Sequence, residues 1–239
     1  MDRQYHRWHS GALGRDMELL AFGHAGARVI VFPTSMGRFW EWEDFGMIRN
    51  LVDHLDQGWL QLYCVDSVDG ESWYNTHVHA IVRAARHAQY DRYLADELLP
   101  FTAWRNPNPF VIATGASFGA YHALAFALRH PERVGRVLGM SGLYDIRRFA
   151  DGAMSDDLYY ANPFDFVANE QDPERIAAMQ RLDIIFAVGR DDPAYQNNVD
   201  MSARLWQRGI GNALRVWDGW AHDWPYWKGM VRHYIGGHD

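Results

Sequence analysis

The chain has 239 residues, of which 48% are hydrophobic and 22% are charged, and its formal net charge is −7. This apolar content is typical of one globular domain of mixed α/β type, so we expect a single domain over residues 1–239. The net negative charge offers no basic face for nucleic acid, and no apolar run reaches the roughly 18 to 20 residues of a membrane span. Because the N-terminus is polar where a secretory signal needs an apolar core, the sequence predicts a cytoplasmic protein.

The first hundred residues contain four strand patterns and two helix patterns. Three apolar segments separated by Gly-rich turns predict successive strands with an antiparallel opening, and a fourth strand follows the first helical pattern. Apolar residues at helical spacing predict helices over residues 44–57 and about 76–101. The predicted strands are YHRWHS, DMELLAFG, ARVIVFPT and LQLYCV.

From residue 109 onward, strand and helix patterns alternate. Helices are predicted from residue 117 to about 129, over 194–208 and over about 224–235, and the segment 143–180 reads as an insertion over the sheet after the sixth strand. This alternation predicts a mostly parallel central sheet with helices on both faces, whose chemistry lies at the carboxyl ends of the strands. The predicted strands are PFVIATG, RVGRVLGMSG, LDIIFAVG and ALRVWDG.

A G-x-S-x-G motif, GASFG at residues 115–119, lies between an apolar strand and an amphipathic helix. A serine in this setting occupies a sharp, strained turn, and the small residues on either side let the two backbones approach closely. The motif therefore predicts Ser117 as a nucleophile. It also predicts the Phe118 N–H, at the helix N-terminus, as a donor to a developing oxyanion. The alternative is a tight turn with a capping serine.

A serine nucleophile needs a histidine base and an acid that orients the histidine, and at such a turn both follow the serine along the chain. Asp191 and Asp192 lie on the loop after the strand LDIIFAVG, and His222 lies on the loop after the last strand. We predict His222 as the base and one of the two aspartates as the acid. The other aspartate would cap the next helix or pair with Arg190.

A second oxyanion donor is expected from the loop FPTSMG after the third strand. We expect this donor to be the Ser35 N–H, with Met36 as the adjacent alternative and a plain turn as the other interpretation. Side chains after the third and fourth strands should ring the same strand ends and line a substrate pocket, although packing in an aromatic core explains the Trp and Tyr residues equally well. The pocket candidates are Met36, Arg38, Trp40, Trp73 and Tyr74.

Metal and nucleotide motifs are missing from the sequence. His77 and His79 have no Cys or carboxylate partner at ligand spacing, so no metal site is predicted. Neither a dinucleotide-binding nor a Walker motif occurs. Cys64 is the one cysteine of the chain, which precludes an internal disulfide, and its apolar surroundings predict a buried position in a strand.

Three segments in chain order, GASFGAYHA, VGRDDPAY and GWAHDWPYW, make the chain resemble the putative-esterase branch of the α/β-hydrolases over about residues 16–235. That branch includes S-formylglutathione hydrolases, feruloyl and siderophore esterases and mycolyltransferases. The resemblance implies an α/β-hydrolase fold and ester hydrolysis or acyl transfer through an acyl-serine, without a cofactor. The family's acid loop has the spacing of Asp192 from Gly189, which favours Asp192 over Asp191. The loop FPTSMG departs from the HGG-type sequence of many esterases.

The function expected from the sequence is therefore a serine esterase acting on a small-molecule ester, with Ser117, His222 and Asp192 as its triad. One alternative is an acyltransferase or thioesterase on the same triad, and another is a non-catalytic binding protein that retains the fold. The acyl and alcohol groups and the oligomeric state stay open, a homo-oligomer being compatible with the sequence.

Overall fold

The computed structural model describes residues 2–237, so residues 1, 238 and 239 of the predicted domain lie outside the described part. The strands are β1 (Arg3–Ser10), β2 (Arg15–Phe22), β3 (Ala27–Phe32), β4 (Leu60–Val65), β5 (Val111–Ala116), β6 (Arg136–Met140), β7 (Asp183–Gly189) and β8 (Ala213–Trp217). They form one sheet in the order β1-β2-β4-β3-β5-β6-β7-β8. Strand β2 pairs antiparallel with β1 and β4, and the other pairs are parallel. The predicted mostly parallel sheet is confirmed.

Helices connect the parallel strands. The α-helices are α1 (Glu41–Asp44), α2 (Met47–Asn50), α3 (Val52–Asp56), α4 (Ala80–Tyr93), α5 (Leu99–Arg105), α6 (Phe118–Arg129), α7 (Asp156–Ala161), α8 (Pro163–Asn169), α9 (Pro173–Met179), α10 (Tyr195–Gln207) and α11 (Trp224–Tyr234). A π-helical turn covers Leu94–Leu98 and a 3-10 turn covers Arg147–Phe149. None of the helices within residues 2–237 combines the length and the hydropathy of a membrane span.

The single helix predicted over residues 44–57 is two short helices, α2 and α3, and α1 precedes them and reaches the predicted span only at Asp44. The backbone leaves the helical region at Gly46, which has φ 74°, and again at Leu51, which has φ −106° and ψ 12°. The apolar spacing nevertheless persists across the breaks, because Ile48, Leu51 and Leu55 are all buried. Helical spacing therefore identified the buried face and missed the interruptions of the backbone.

The helix predicted over about 76–101 begins later and ends later. The His79 side chain accepts a hydrogen bond from the Ile81 N–H, so His79 is the N-cap of α4 and the residues before it form turns. At the other end the helix continues through the π-helical turn into α5, which ends at Arg105. Side-chain capping of this kind satisfies an N–H that the first helical turn leaves without a partner.

Helices cover both faces of the sheet because strand side chains point alternately to the two faces. In β4, Tyr63 and Val65 belong to a core that includes side chains of α4 and α6. Leu62 and Cys64 belong to the core on the opposite face, which includes side chains of α2 and α11. Cys64 is a free, buried cysteine, as predicted. The carboxyl ends of β3 to β8 consequently lie between two helical layers, at one edge of the sheet.

The segment 143–180, predicted as an insertion, carries α7, α8 and α9 and packs against α4 and α6. The Tyr121 hydroxyl of α6 donates to the Ala161 carbonyl at 3.0 Å, and Phe164 and Phe166 are buried in the same core. A cavity of about 710 Å³ lies within the segment and is lined by residues between 146 and 169. Phe149 brings the segment to the carboxyl edge of the sheet, where its ring lies 5.5 Å from that of Phe118.

Candidate active site

Ser117 occupies the turn between β5 and α6 with φ 54° and ψ −119°, a strained conformation for a residue with a side chain. Its N–H donates to the Met140 carbonyl of β6 at 2.8 Å, which fixes the turn against the neighbouring strand. A Cβ at Gly119 would lie 2.5 Å from the carbonyl oxygens of Phe32 and Pro33, and one at Gly115 would lie 2.4 Å from the Gly119 carbonyl carbon. Both glycines are therefore required for the close approach of β3, β5 and α6.

Gly119→Ala is expected to lower the free energy of unfolding by about 3 kcal/mol, because the added methyl group meets backbone oxygens that cannot move aside. The gain in helix propensity, at most about 1 kcal/mol, is too small to offset this clash. Urea denaturation measures the difference. Gly11→Ala is the matched control, because its Cβ would meet no atom closer than Glu97 Oε1 at 3.9 Å. Equal stability of the two variants would contradict the close approach.

His222 and Asp192 adjoin Ser117 in a continuous chain of contacts. The His222 Nε2 atom lies 3.3 Å from Ser117 Oγ, and its Nδ1 atom lies 2.9 and 3.0 Å from the two carboxylate oxygens of Asp192. Asp192 is buried, whereas the neighbouring Asp191 is exposed. Within residues 2–237, no hydrogen bond joins the Asp191 side chain to His222. The structure thus brings together the predicted nucleophile, base and favoured acid.

Burial would raise the pKa of Asp192, but hydrogen bonds from His222, from the Ala194 N–H and from Ser141 outweigh burial and hold this pKa below its usual value. The Ala194 N–H lies 2.7 Å from Asp192 Oδ1. A carboxylate with these donors stays ionised at neutral pH. It can therefore accept a hydrogen bond from His222 Nδ1–H, which leaves the unprotonated Nε2 facing Ser117.

Two buried residues that sequence reasoning missed pack around the predicted base and acid. Ser141 follows β6 with φ 53°, and its Oγ atom accepts a hydrogen bond from Trp227 Nε1 at 3.2 Å. The Trp227 ring also packs edge-on against His222, with ring centroids 5.3 Å apart. The positions of both residues were informative, because Ser141 lies at a strand end and Trp227 lies in the HDWPYW segment. Their residue types alone do not indicate that they contact the predicted base and acid.

The loop after β3 has two of its N–H groups engaged by carboxylates. Thr34 N–H donates to Glu41 Oε2 at 2.8 Å, and Met36 N–H donates to Asp69 Oδ2 at 3.1 Å. Between them, the Ser35 N–H has no hydrogen-bond partner among the described residues. Burial raises the pKa of Glu41, although its bonds to Thr34 oppose this rise. Of the two N–H groups considered as the second oxyanion donor, the Met36 N–H thus already has an acceptor and the Ser35 N–H is free within residues 2–237.

The other predicted donor, Phe118 N–H, is at the first position of α6, where no intrahelical acceptor exists. A Cβ at Gly119 would clash with the backbone oxygens of Phe32 and Pro33, so the start of α6 lies directly beside the loop that carries Ser35. The Tyr74 hydroxyl donates to Ser35 Oγ at 2.8 Å, and the Tyr74 ring packs edge-on against Phe118. Both predicted oxyanion donors therefore lie on adjacent segments.

The remaining pocket candidates lie in three different environments. The Met36 side chain is 53% exposed and lies over Gly70. Arg38 binds Asp66 at 2.6 Å and stacks over the Trp40 ring at 4.6 Å, so its charge is neutralised within the protein. Trp73, by contrast, is fully buried in the core.

An exposed residue not predicted for the pocket, Trp220, flanks the predicted base, with its ring 5.8 Å from that of His222. Its position two residues before the histidine was visible in the sequence, but only the structure shows that the side chain stays exposed. Across residues 2–237, no group of three or more His, Cys, Asp or Glu side chains is arranged to hold a metal ion.

Comparison with known proteins gives one family and a set of similar folds. A family model described as "Putative esterase" matches residues 65–232. A search of curated proteins finds no match. The structure is similar to a ferulic acid esterase, with a TM-score of 0.77 and 16% identity over 96% of this chain and 95% of the other.

Two further solved structures share the fold over nearly the whole chain. An S-formylglutathione hydrolase from Agrobacterium tumefaciens gives a TM-score of 0.72 at 15% identity, covering 97% of this chain and 92% of the other. The fluorophosphonate-binding serine hydrolase F from Staphylococcus aureus gives a TM-score of 0.71 at 16% identity, covering 98% and 97%. These similarities confirm the predicted α/β-hydrolase fold.

Proposed function

The chain belongs to the putative-esterase family, and from this membership we propose that it is a serine esterase that hydrolyses small carboxylic esters through an acyl-enzyme on Ser117. The observation that carries the proposal is the chain of contacts from Ser117 Oγ through His222 to the buried Asp192. A serine hydroxyl is a weak nucleophile by itself, and a neutral imidazole held at its oxygen supplies the missing base. These three residues fill the roles of nucleophile, base and orienting acid.

In the first half of the reaction, Ser117 Oγ attacks the ester carbonyl carbon while His222 Nε2 takes its proton. The resulting imidazolium keeps its Nδ1–H bonded to Asp192, whose negative charge stabilises it. The carbonyl oxygen becomes an oxyanion and accepts hydrogen bonds from the N–H groups of Phe118 and Ser35. His222 then gives its proton to the departing alcohol oxygen as the carbon–oxygen bond breaks, which leaves the acyl group on Ser117.

In the second half, water replaces the alcohol. His222 removes a proton from the water as its oxygen attacks the acyl carbon, and the same two N–H groups bind the second oxyanion. Return of the proton from His222 to Ser117 Oγ releases the carboxylic acid and restores the enzyme. Each step uses only side chains and N–H groups of this chain.

We also propose that residues 1–239 act as one catalytic domain, with the segment 143–180 bordering the substrate site. The contact that supports this border is the Phe149 ring, which lies 5.3 Å from the ring of Tyr74 and 5.5 Å from that of Phe118. Trp220 stands beside His222, and Met36 is exposed over Gly70. The proposed site is thus bordered mainly by aromatic and apolar side chains, a lining that suits small-molecule esters.

The proposal is tested with p-nitrophenyl acetate and p-nitrophenyl butyrate and with a fluorophosphonate probe. We expect release of p-nitrophenol with saturation kinetics, and covalent labelling of one site per chain. Peptide mass spectrometry should place the label on Ser117, because the probe reacts with a serine activated by a neighbouring base. Absence of both turnover and labelling over a panel of short and long acyl esters would refute the esterase assignment.

A further inference from the structure

A second pair of an aspartate and a histidine lies buried near the active site and takes no part in the proposed reaction. The His122 Nε2 atom lies 2.9 Å from Asp69 Oδ1, and the two side chains are 2% and 1% exposed. The two residues are separated by 53 positions in sequence, so the contact joins distant parts of the chain. Burying two ionisable side chains is costly unless they satisfy each other or a further group.

The further group is the backbone of the loop after β3. The second carboxylate oxygen of Asp69, Oδ2, accepts a hydrogen bond from the Met36 N–H at 3.1 Å. Met36 has φ 60°, in the left-handed region that residues with a side chain seldom adopt. A conformation of this kind persists only where surrounding contacts hold it. The bond to Asp69 is such a contact, and it holds the residue directly after Ser35.

His122 links the same carboxylate to the helix that begins at the nucleophile. It lies one helical turn after Phe118 on α6, and its ring packs edge-on against the Phe118 ring, with centroids 4.9 Å apart and an interplanar angle of 79°. Asp69 therefore contacts, through one oxygen, the loop that carries Ser35 and, through the other, the helix that carries Phe118. The two oxyanion donors belong to these two segments.

We propose that Asp69 is a positioning residue for the oxyanion hole, and that with His122 it holds the Ser35 N–H at its working distance from the Phe118 N–H. The inference rests on the proposed esterase function. Oxyanion contacts form fully only in the transition state, so an error in their placement lowers kcat and leaves substrate binding almost unchanged. Replacing a residue that served folding alone would change stability and would not lower kcat selectively while KM stays unchanged.

The test uses Asp69→Ala and Asp69→Asn with p-nitrophenyl acetate. Asp69→Ala removes both acceptor oxygens, and we expect kcat to fall by about 50-fold while KM stays within about 3-fold of the parent. This loss is smaller than the loss of about 100-fold or more that follows removal of an oxyanion donor itself. Asp69→Asn keeps one amide oxygen that can accept from Met36 N–H, so it should recover part of the loss. A trifluoromethyl ketone, whose adduct with serine carries an oxyanion, should bind more weakly to Asp69→Ala in proportion to kcat/KM.

Asp91→Ala is the matched control. Asp91 is also buried and also faces a histidine, because its Oδ2 atom lies 2.9 Å from His130 Nε2 at the far end of α6. Loss of this pair should lower the melting temperature about as much as Asp69→Ala does while kcat stays within about 2-fold. Each variant thus removes a buried carboxylate that faces a histidine, and the two sites differ in distance from the proposed oxyanion hole. Asp91 also lies 3.3 Å from Arg129 Nη2, so its loss removes an ion pair as well.

The outcomes separate the inference from the function on which it rests. If Asp69→Ala keeps kcat, or if its loss appears in KM, or if Asp91→Ala loses kcat equally, the positioning role is wrong and the esterase assignment stands. If the parent protein hydrolyses no ester, or if Ser117→Ala hydrolyses p-nitrophenyl acetate as fast as the parent, both are wrong.

Discussion

Replacing Ser117 by alanine is expected to lower kcat for p-nitrophenyl acetate by about 10⁴-fold or more, because no acyl-enzyme can form and only the oxyanion donors and binding remain. Fluorophosphonate labelling should disappear with it. The fold should survive, since alanine tolerates the positive φ of this position no worse than serine does. Far-ultraviolet circular dichroism and urea denaturation check this point beside the kinetic assay.

Ser155→Ala is the control for this substitution. Ser155 caps α7 through a hydrogen bond from the Leu158 N–H at 3.2 Å, so its loss costs about 1 kcal/mol of stability and leaves the proposed triad intact. We expect the control to keep its esterase activity and its labelling. Turnover by Ser117→Ala at the parental rate would mean that another group performs the chemistry.

Asp192→Asn should give the next largest effect, a loss of about 10⁴-fold in kcat. The amide of asparagine would donate to His222 Nδ1, which places the imidazole proton on Nε2 and removes the base that faces Ser117 Oγ. Asp191→Asn is the matched control at the neighbouring, exposed position, and its kcat should stay within about 3-fold of the parent. Initial rates at saturating ester compare the two. A larger loss in Asp191→Asn would reverse the assignment of the acid.

Asp192→Asn also has an effect on stability, and this effect depends on pH. The pKa of Asp192 is lower in the folded protein than in the unfolded chain, because the hydrogen bonds from His222, Ala194 and Ser141 outweigh burial. Its ionised form therefore stabilises the fold above the unfolded pKa of about 4, and this contribution is lost as pH falls through the folded value. In urea denaturation, the stability difference between the parent and Asp192→Asn should be larger at pH 7 than at pH 3.

Much of the proposed site was predictable because its three central residues follow strands in a fixed order. The glycines beside Ser117, the loop with Asp192 and the segment around His222 are local patterns, and local patterns are legible in one sequence. The ends of α4 were not predictable in this way. They depend on the His79 cap and on the π-helical turn, neither of which the apolar spacing indicated.

Contacts between distant segments were beyond the sequence. Nothing in the sequence near His122 or Asp69 indicates that the two side chains face each other, because their pairing depends on how α6 lies against the loop after β4. The sequence already favoured Ser35 over Met36 as the second oxyanion donor, but the physical reason comes from a distant contact, because Met36 N–H donates to Asp69. Local chemistry was readable, whereas the supports that orient it come from tertiary packing.

Among residues 2–237, five residues other than glycine have positive φ, and four of them, Met36, Ser117, Ser141 and Ala221, lie at the strand ends around the proposed triad. Each such residue raises the energy of the folded state by roughly 1–3 kcal/mol. Most of the strained non-glycine backbone in the described part of the chain therefore lies where the proposed reaction takes place. Replacing Met36 or Ser141 by glycine would relieve backbone strain and would also make the proposed site more flexible. Selection for heat resistance alone should therefore favour substitutions at these positions that reduce turnover. A more robust enzyme that keeps its rate should come from substitutions on the helical layers, away from this edge.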